Sequence, residues 1–161
     1  MTAEAPAGTA PAPSLADARG RAALANDAWE ALMTAHTKHM RRFAAEEIWC
    51  EVSMREYDVL YALSKCTAPL RLGDLNRYVL LSQPAMSRMV DRLIERGLVS
   101  RQADPDDARS VRIGLTETGR ALQRTVGLAH GRSITATMTS ALTTEELLTL
   151  ERLALKLASQ E

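Results

Sequence analysis

From Leu81 to Arg101 the apolar positions fall at helical spacing. Met86, Met89, Val90, Leu93 and Ile94 share one face, while Gln83, Pro84, Ser87, Arg88, Asp91 and Glu95 occupy the other. Ser82 is a capping residue, Pro84 suits a first helical turn, and Gly97 supplies the left-handed residue that ends the helix. Upstream, Ser53 and Glu56 have the spacing of a capping box and open a helix carrying Tyr57, Leu60, Tyr61 and Leu63. Lys65 to Leu70 breaks it. Leu72, Leu75, Val79 and Leu80 then predict a short helix over 72–80, with Asp74, Asn76 and Arg77 facing outward. After Gly97, two short alternating runs flank a segment rich in Asp and Pro, which predicts a β-hairpin.

The ends of the chain read differently. Met1 to Pro13 offers almost no core-forming side chain and is expected to be disordered. A helical pattern begins at Leu15. Asn26 or Asp27 is placed to cap a long helix that carries Trp29, Leu32, Met33, Met40, Phe43 and Ile48 and ends near Cys50. Thr116 to Met138 predicts another helix, with Gly127 and Gly131 as soft points. Thr143 and Glu146 form a second capping box before Leu147, Leu150, Leu153, Ala154 and Leu157. The expected organisation is an arm over 1–13, a dimerising helical region over 14–50, a winged helix-turn-helix over 53–115 and dimerising helices over 116–161.

Composition narrows the fold class. Apolar residues make up 46% of the 161 and aromatics only 4%, which favours a mainly α chain with one small β-hairpin over a sandwich or barrel. Lys and Arg (20) balance Asp and Glu (20), so bulk charge does not drive nucleic-acid binding. From Arg71 to Arg112 eight Arg face six acids, and the net of +2 permits DNA binding without demanding it.

Helix, short helix and a tightly joined helix with a polar N-terminal face form a helix-turn-helix. The hairpin that follows makes a wing. Gln83, Ser87 and Arg88 carry groups that read base edges in a major groove, and Arg109 on the hairpin can reach a neighbouring minor groove. The competing readings are an ordinary amphipathic surface helix and a solvated turn. Arg101, Arg109 and Arg112 recurring on one hairpin favour the wing.

Other candidates are weaker. His36 and His39 lie three apart but lack a third ligand, so no metal or cofactor is expected. Cys50 and Cys66 form no CxxC pair and read as free thiols, and Glu46, Glu47 and Glu51 disfavour a Cys50 thiolate. No phosphate loop, nucleophile elbow or acid pair points to an enzyme. With no leader or long apolar run, a cytoplasmic protein is expected.

The run SQPAMSRMVDRLIERGLVSRQADPDDARSVRIGLTETGRAL resembles the reading helix, wing and linker helix of the MarR family of winged helix-turn-helix regulators, and the likeness extends over roughly Trp29 to Leu157. The resemblance implies a homodimer on a pseudo-palindromic double-stranded operator, with a small-molecule or oxidant signal altering the separation of the reading helices. The expected function is a repressor released by a small-molecule ligand, with an anionic aromatic acid as the candidate. It assigns Ser82, Gln83, Pro84, Ser87 and Arg88 to the groove and Asp107 with Arg109 to the wing's Asp-x-Arg motif. Ala108 stands where the family often has a second Arg. For a ligand it implies a site bordered by Trp29, Tyr57, Asp58, Tyr61, Lys65 and Arg88, with His36 and His39 nearby. Trp29 and Asp58 are similar to part of the pattern of the urate-responsive branch, in which Lys65 replaces an Arg. Two alternatives stay open: a helical interaction module that has the fold without reading DNA, and a thiol-based redox sensor.

Overall fold

The computed structural model describes the backbone of residues 15–76, 78–79, 81–105 and 107–160, and side chains from Gly20 onward except those of 108 and 109. The predicted arm over 1–13 lies outside the described residues. Helix α1 spans Leu15–Ala44, followed by a 3-10 turn at Glu47–Trp49 and then α2 (Met54–Ser64), β1 (Leu70–Arg71) and α3 (Leu72–Leu75). Then come α4 (Gln83–Glu95), β2 (Val99–Asp104), β3 (Asp107–Leu115), α5 (Glu117–Ala141) and α6 (Thr144–Ala158). Contacts divide the chain into a unit ending at Arg42 and another from Phe43 onward.

In the first unit α1 runs without a break through Asn26 and Asp27, so neither residue caps a helix. The preceding Ala-, Leu- and Arg-rich turns are strong helix formers and leave no open N-terminus there to cap. The helix also stops at Ala44 and not near Cys50. Beyond it the Phe43 carbonyl accepts from the Glu46 amide at 3.1 Å and from the Trp49 indole N–H at 2.6 Å. Those two donors satisfy a terminal carbonyl that a longer helix would have used internally.

The second unit forms around Val59, Leu60, Leu75, Met86, Val90, Leu93, Val99 and Ile113, all fully buried. Both capping boxes form as their spacing predicts. Glu56 N–H donates to Ser53 Oγ at 3.3 Å while Ser53 N–H donates to the Glu56 carboxylate at 2.8 Å, and Thr143 and Glu146 repeat the pattern. The third helix is shorter than predicted, because Gly73 and Asn76 both weaken it; Leu75 and Val79 still point inward. The predicted end at Leu80 lies outside the described residues. Helix α5 continues unbroken past Gly127 and Gly131 to Ala141.

A strand the sequence does not announce completes the sheet. Leu70 pairs with Ile113 and Arg71 with Arg112, giving three antiparallel strands in the order β1-β3-β2. Two residues have no detectable alternation, so only their partner identifies them as a strand.

Candidate nucleic-acid interface

Helix α4 presents the face expected of a reader. Its N-terminal side exposes Ser82, Gln83, Pro84 and Arg88, with Ser87 half-buried, while Met86, Met89, Val90 and Leu93 anchor the opposite side in the core. Ser82 has the extended backbone of a cap, but its hydroxyl makes no capping bond. A capping oxygen bonds the amide of the second or third helical residue, and Pro84 removes the second. The exposed hydroxyl is therefore not consumed by its own helix. At the other end Gly97 has φ 68°. The Gly97 amide bonds Ile94 O at 2.8 Å and the Leu98 amide bonds Leu93 O at 2.9 Å, the pair of bonds that closes a Schellman motif. This stop turns the chain directly into β2.

The arginines divide into engaged and unengaged groups. Arg101 is held by Asp91 and Arg112 by Asp104, so two of the three hairpin arginines counted toward a wing footprint are committed to acids of this chain. Arg71 pairs with Asp104 and Arg96 with Glu56. Arg88 enters no ion pair among the described residues and is exposed. Arg109 falls within β3, and its side chain lies outside the described residues. Asp107 is exposed and accepts from the Ser110 hydroxyl at 2.8 Å.

The candidate ligand residues come together only in part. Tyr57, buried on α2, stacks on Tyr61 at 5.9 Å, lies tilted against Trp49 at 5.6 Å and meets His130 edge-on at 5.9 Å. Phe43 and Trp49 also approach His130, at 5.2 and 5.1 Å. Neither Trp49 nor His130 was singled out by spacing, since aromatic residues so far apart in sequence meet only through the fold. The Lys65 ammonium sits 4.8 Å from the Tyr61 ring centre and borders an open groove with Cys66, Arg71, Asp74 and Arg112. Trp29 belongs to the first unit, and Arg88 stands on the exposed face of α4. His36 is exposed and His39 half-buried on α1. Cys50 and Cys66 are free, and the Cys50 thiol donates to Glu47 O at 2.7 Å.

Burial pushes the Tyr57 hydroxyl above its ordinary range, against a hydrogen bond from Gln123. Burial likewise raises the Asp58 carboxyl above its ordinary 3.8, more than His130 and Arg55 lower it. Burial thus makes the charged form of Asp58 less favourable in the folded chain than in the unfolded one. Its cost is absent below pH 3.8 and sets in as the pH rises through the elevated folded-state value. Asp58→Asn should therefore be more stable than the natural chain at pH 7, with the difference closing in melts below pH 3.8. A constant difference across that range would show that burial of the charge is not what Asp58 contributes.

Comparison with known proteins places this geometry. The MarR family model matches residues 52–111, which span the helix-turn-helix and most of the hairpin. The multiple antibiotic resistance protein MarR of Escherichia coli is 30% identical over 106 residues, covering 66% of this chain and 73% of that protein. A solved structure of a mutant MarR from E. coli complexed with operator DNA superposes with a TM-score of 0.68 at 27% identity, covering 80% of this chain and 91% of that one. BpsR of Bordetella bronchiseptica, solved to show how 6-hydroxynicotinic acid regulates its DNA binding, shares the fold with a TM-score of 0.70 at 24% identity, over 82% and 93% of the two chains.

Proposed function

The chain belongs to the MarR family of transcriptional regulators, and from that premise we propose that it is a homodimeric, sequence-specific repressor that a small aromatic acid releases from a pseudo-palindromic operator. One observation carries the DNA-reading part. The N-terminal face of α4 leaves Ser82, Gln83 and Arg88 exposed, with Ser87 half-buried beside them, whereas Arg101 and Arg112 are held by acids. A guanidinium with no ion-pair partner among the described residues, on a groove-sized helix, suits bidentate contact with guanine. Asp107 and Arg109 complete the site from the wing. The same reading makes the chain a non-enzymatic regulator working in the cytoplasm; among the described residues no helix is long and apolar enough to cross a membrane.

Selection of bound duplexes from a random pool tests this directly, and half-sites about 10 to 10.5 base pairs apart are expected. Arg88→Ala and Arg109→Ala should each weaken binding to the selected operator by about 1 to 3 kcal/mol, a factor of roughly 5 to 150, with sedimentation unchanged. A pool that yields no enriched sequence would remove the DNA-reading proposal.

The effector part rests on the ring cluster around Tyr57, with Tyr61 exposed beside it and the Lys65 ammonium over the Tyr61 face. A ligand releases DNA only by preferring the non-binding conformation, and tenfold release needs about 1.4 kcal/mol of preference. Titration of the operator complex with urate, salicylate and 6-hydroxynicotinic acid, in the natural chain and in Lys65→Ala, is the test. If no acid releases DNA, or if both proteins respond equally, Lys65 is not the charge partner.

A further inference from the structure

Among the described residues of the hairpin, Asp104 is the one acidic side chain that is completely buried. Its side chain is 0% exposed, and its two oxygens are divided between two arginines. Oδ2 accepts from Arg71 Nε at 2.6 Å and Oδ1 from Arg112 Nη2 at 3.1 Å. Arg71 and Arg112 are direct cross-strand partners between β1 and β3. Like charges in that position repel, and a carboxylate reaching both removes the repulsion while tying β2, through Asp104, to the other two strands. A buried carboxylate is tolerated only when so paired, and such pairs are better attested for holding a specific arrangement than for adding stability.

The position of this clamp gives it a role. Ala103 pairs with Val111, but the next residue, Asp104, pairs with Asp107. Residues 108–110 of β3 therefore stand opposite a single step of β2, as a bulge, and Arg109 lies at its centre. Bulges re-aim the chain that carries them. Asp104 fixes the bulge from the β2 side, and the Asp107–Ser110 bond closes it from within. The clamp also reaches β1, which leads straight into α3 and the helix-turn-helix.

We propose that Asp104, held by Arg71 and Arg112, is the positioning residue of the wing: without touching DNA, it sets where the 108–110 bulge stands relative to the helix-turn-helix. This rests on the DNA-binding reading above. The test compares the full chain with Asp104→Asn and, separately, Arg71→Gln, on the selected operator and on a scrambled duplex of the same length. Backbone amide exchange over 99–115 is followed without DNA. Asp104→Asn should lose at least about tenfold in operator affinity while its affinity for the scrambled duplex holds or rises, because the variant is one charge more positive. Exchange across the hairpin should quicken, with dimerisation unchanged. Arg71→Gln keeps the Arg112 pair and should show the same pattern more weakly; it decides the matter if Asp104→Asn does not fold. Operator affinity within threefold, parallel losses on both duplexes, or unchanged exchange would each overturn the proposal. If the natural chain selects no sequence, the DNA-binding reading fails instead, and exchange alone still decides whether Asp104 holds the wing.

Discussion

Gly119→Ala should destabilise the protein by about 3 kcal/mol or more, although the change adds one methyl group. Gly119 lies in the first turn of α5 with ordinary backbone angles, so the cost is one of space. A Cβ there would stand 2.8 Å from the Leu98 carbonyl carbon and closer still to its oxygen. That carbonyl cannot retreat freely. It accepts the Thr116 amide at 3.2 Å, and the Thr116 hydroxyl in turn donates to Gly97 O at 2.7 Å and caps the Gly119 amide at 3.0 Å. Room for the methyl must come from pulling α5 away from the junction of α4 and β2, which opens the core beside Leu98 and Val99. For a chain of this size the melting temperature should fall by about 6 to 12 °C at fixed protein concentration. The exposed Gly131, where nothing lies within 4 Å of an added Cβ, is the internal control. Gly131→Ala should leave the melt unchanged or raise it slightly, since alanine is the better helix former. Equal effects at the two positions would mean that close approach to Leu98 is not the constraint.

Leu150→Glu combined with Leu153→Glu should convert the protein to a monomer in sedimentation and weaken operator binding by about 100-fold or more. Helix α6 contains no buried residue, yet Leu148, Leu150, Leu153, Leu155 and Leu157 are all substantially exposed. In α5, Leu128 and Ile134 are exposed as well. A helix with this much open apolar surface needs a covering partner. The DNA-reading proposal supplies one in a second copy, whose reading helix occupies the next major groove. Two carboxylates within the stripe make that burial too costly, and a monomer retains contact with only one half-site. Circular dichroism should show the helices intact, because the Thr143–Glu146 capping box does not depend on the substituted positions. A variant that remains a dimer would remove α6 from the interface.

Much of this structure was legible from residue order because its causes are local. The capping boxes at Ser53–Glu56 and Thr143–Glu146 close over three residues, and the Gly97 stop closes over five. The buried face of α4 repeats at the helical period, and the hairpin follows from two alternating runs around a turn. Ser82, Gln83, Pro84 and Arg88 could be placed on the open side of α4 for the same reason: a helix's geometry assigns faces before any partner is known. Local rules failed where the deciding neighbour was distant. Asn26 and Asp27 look like caps, but the helix was already running before them. The two residues of β1 are a strand only because β3, about forty residues later, offers a free edge. Asp104 looks like one more turn acid until Arg71, 33 residues away, and Arg112 enclose it. His130 joins Phe43, Trp49 and Tyr57 only when α5 packs on α2. Gly119 shows no sequence sign of its role, because the carbonyl it must clear belongs to the end of another element. Interactions spanning three or four residues are specified by residue order alone. Those that close long loops exist only after the core has paid the entropy of bringing distant segments together.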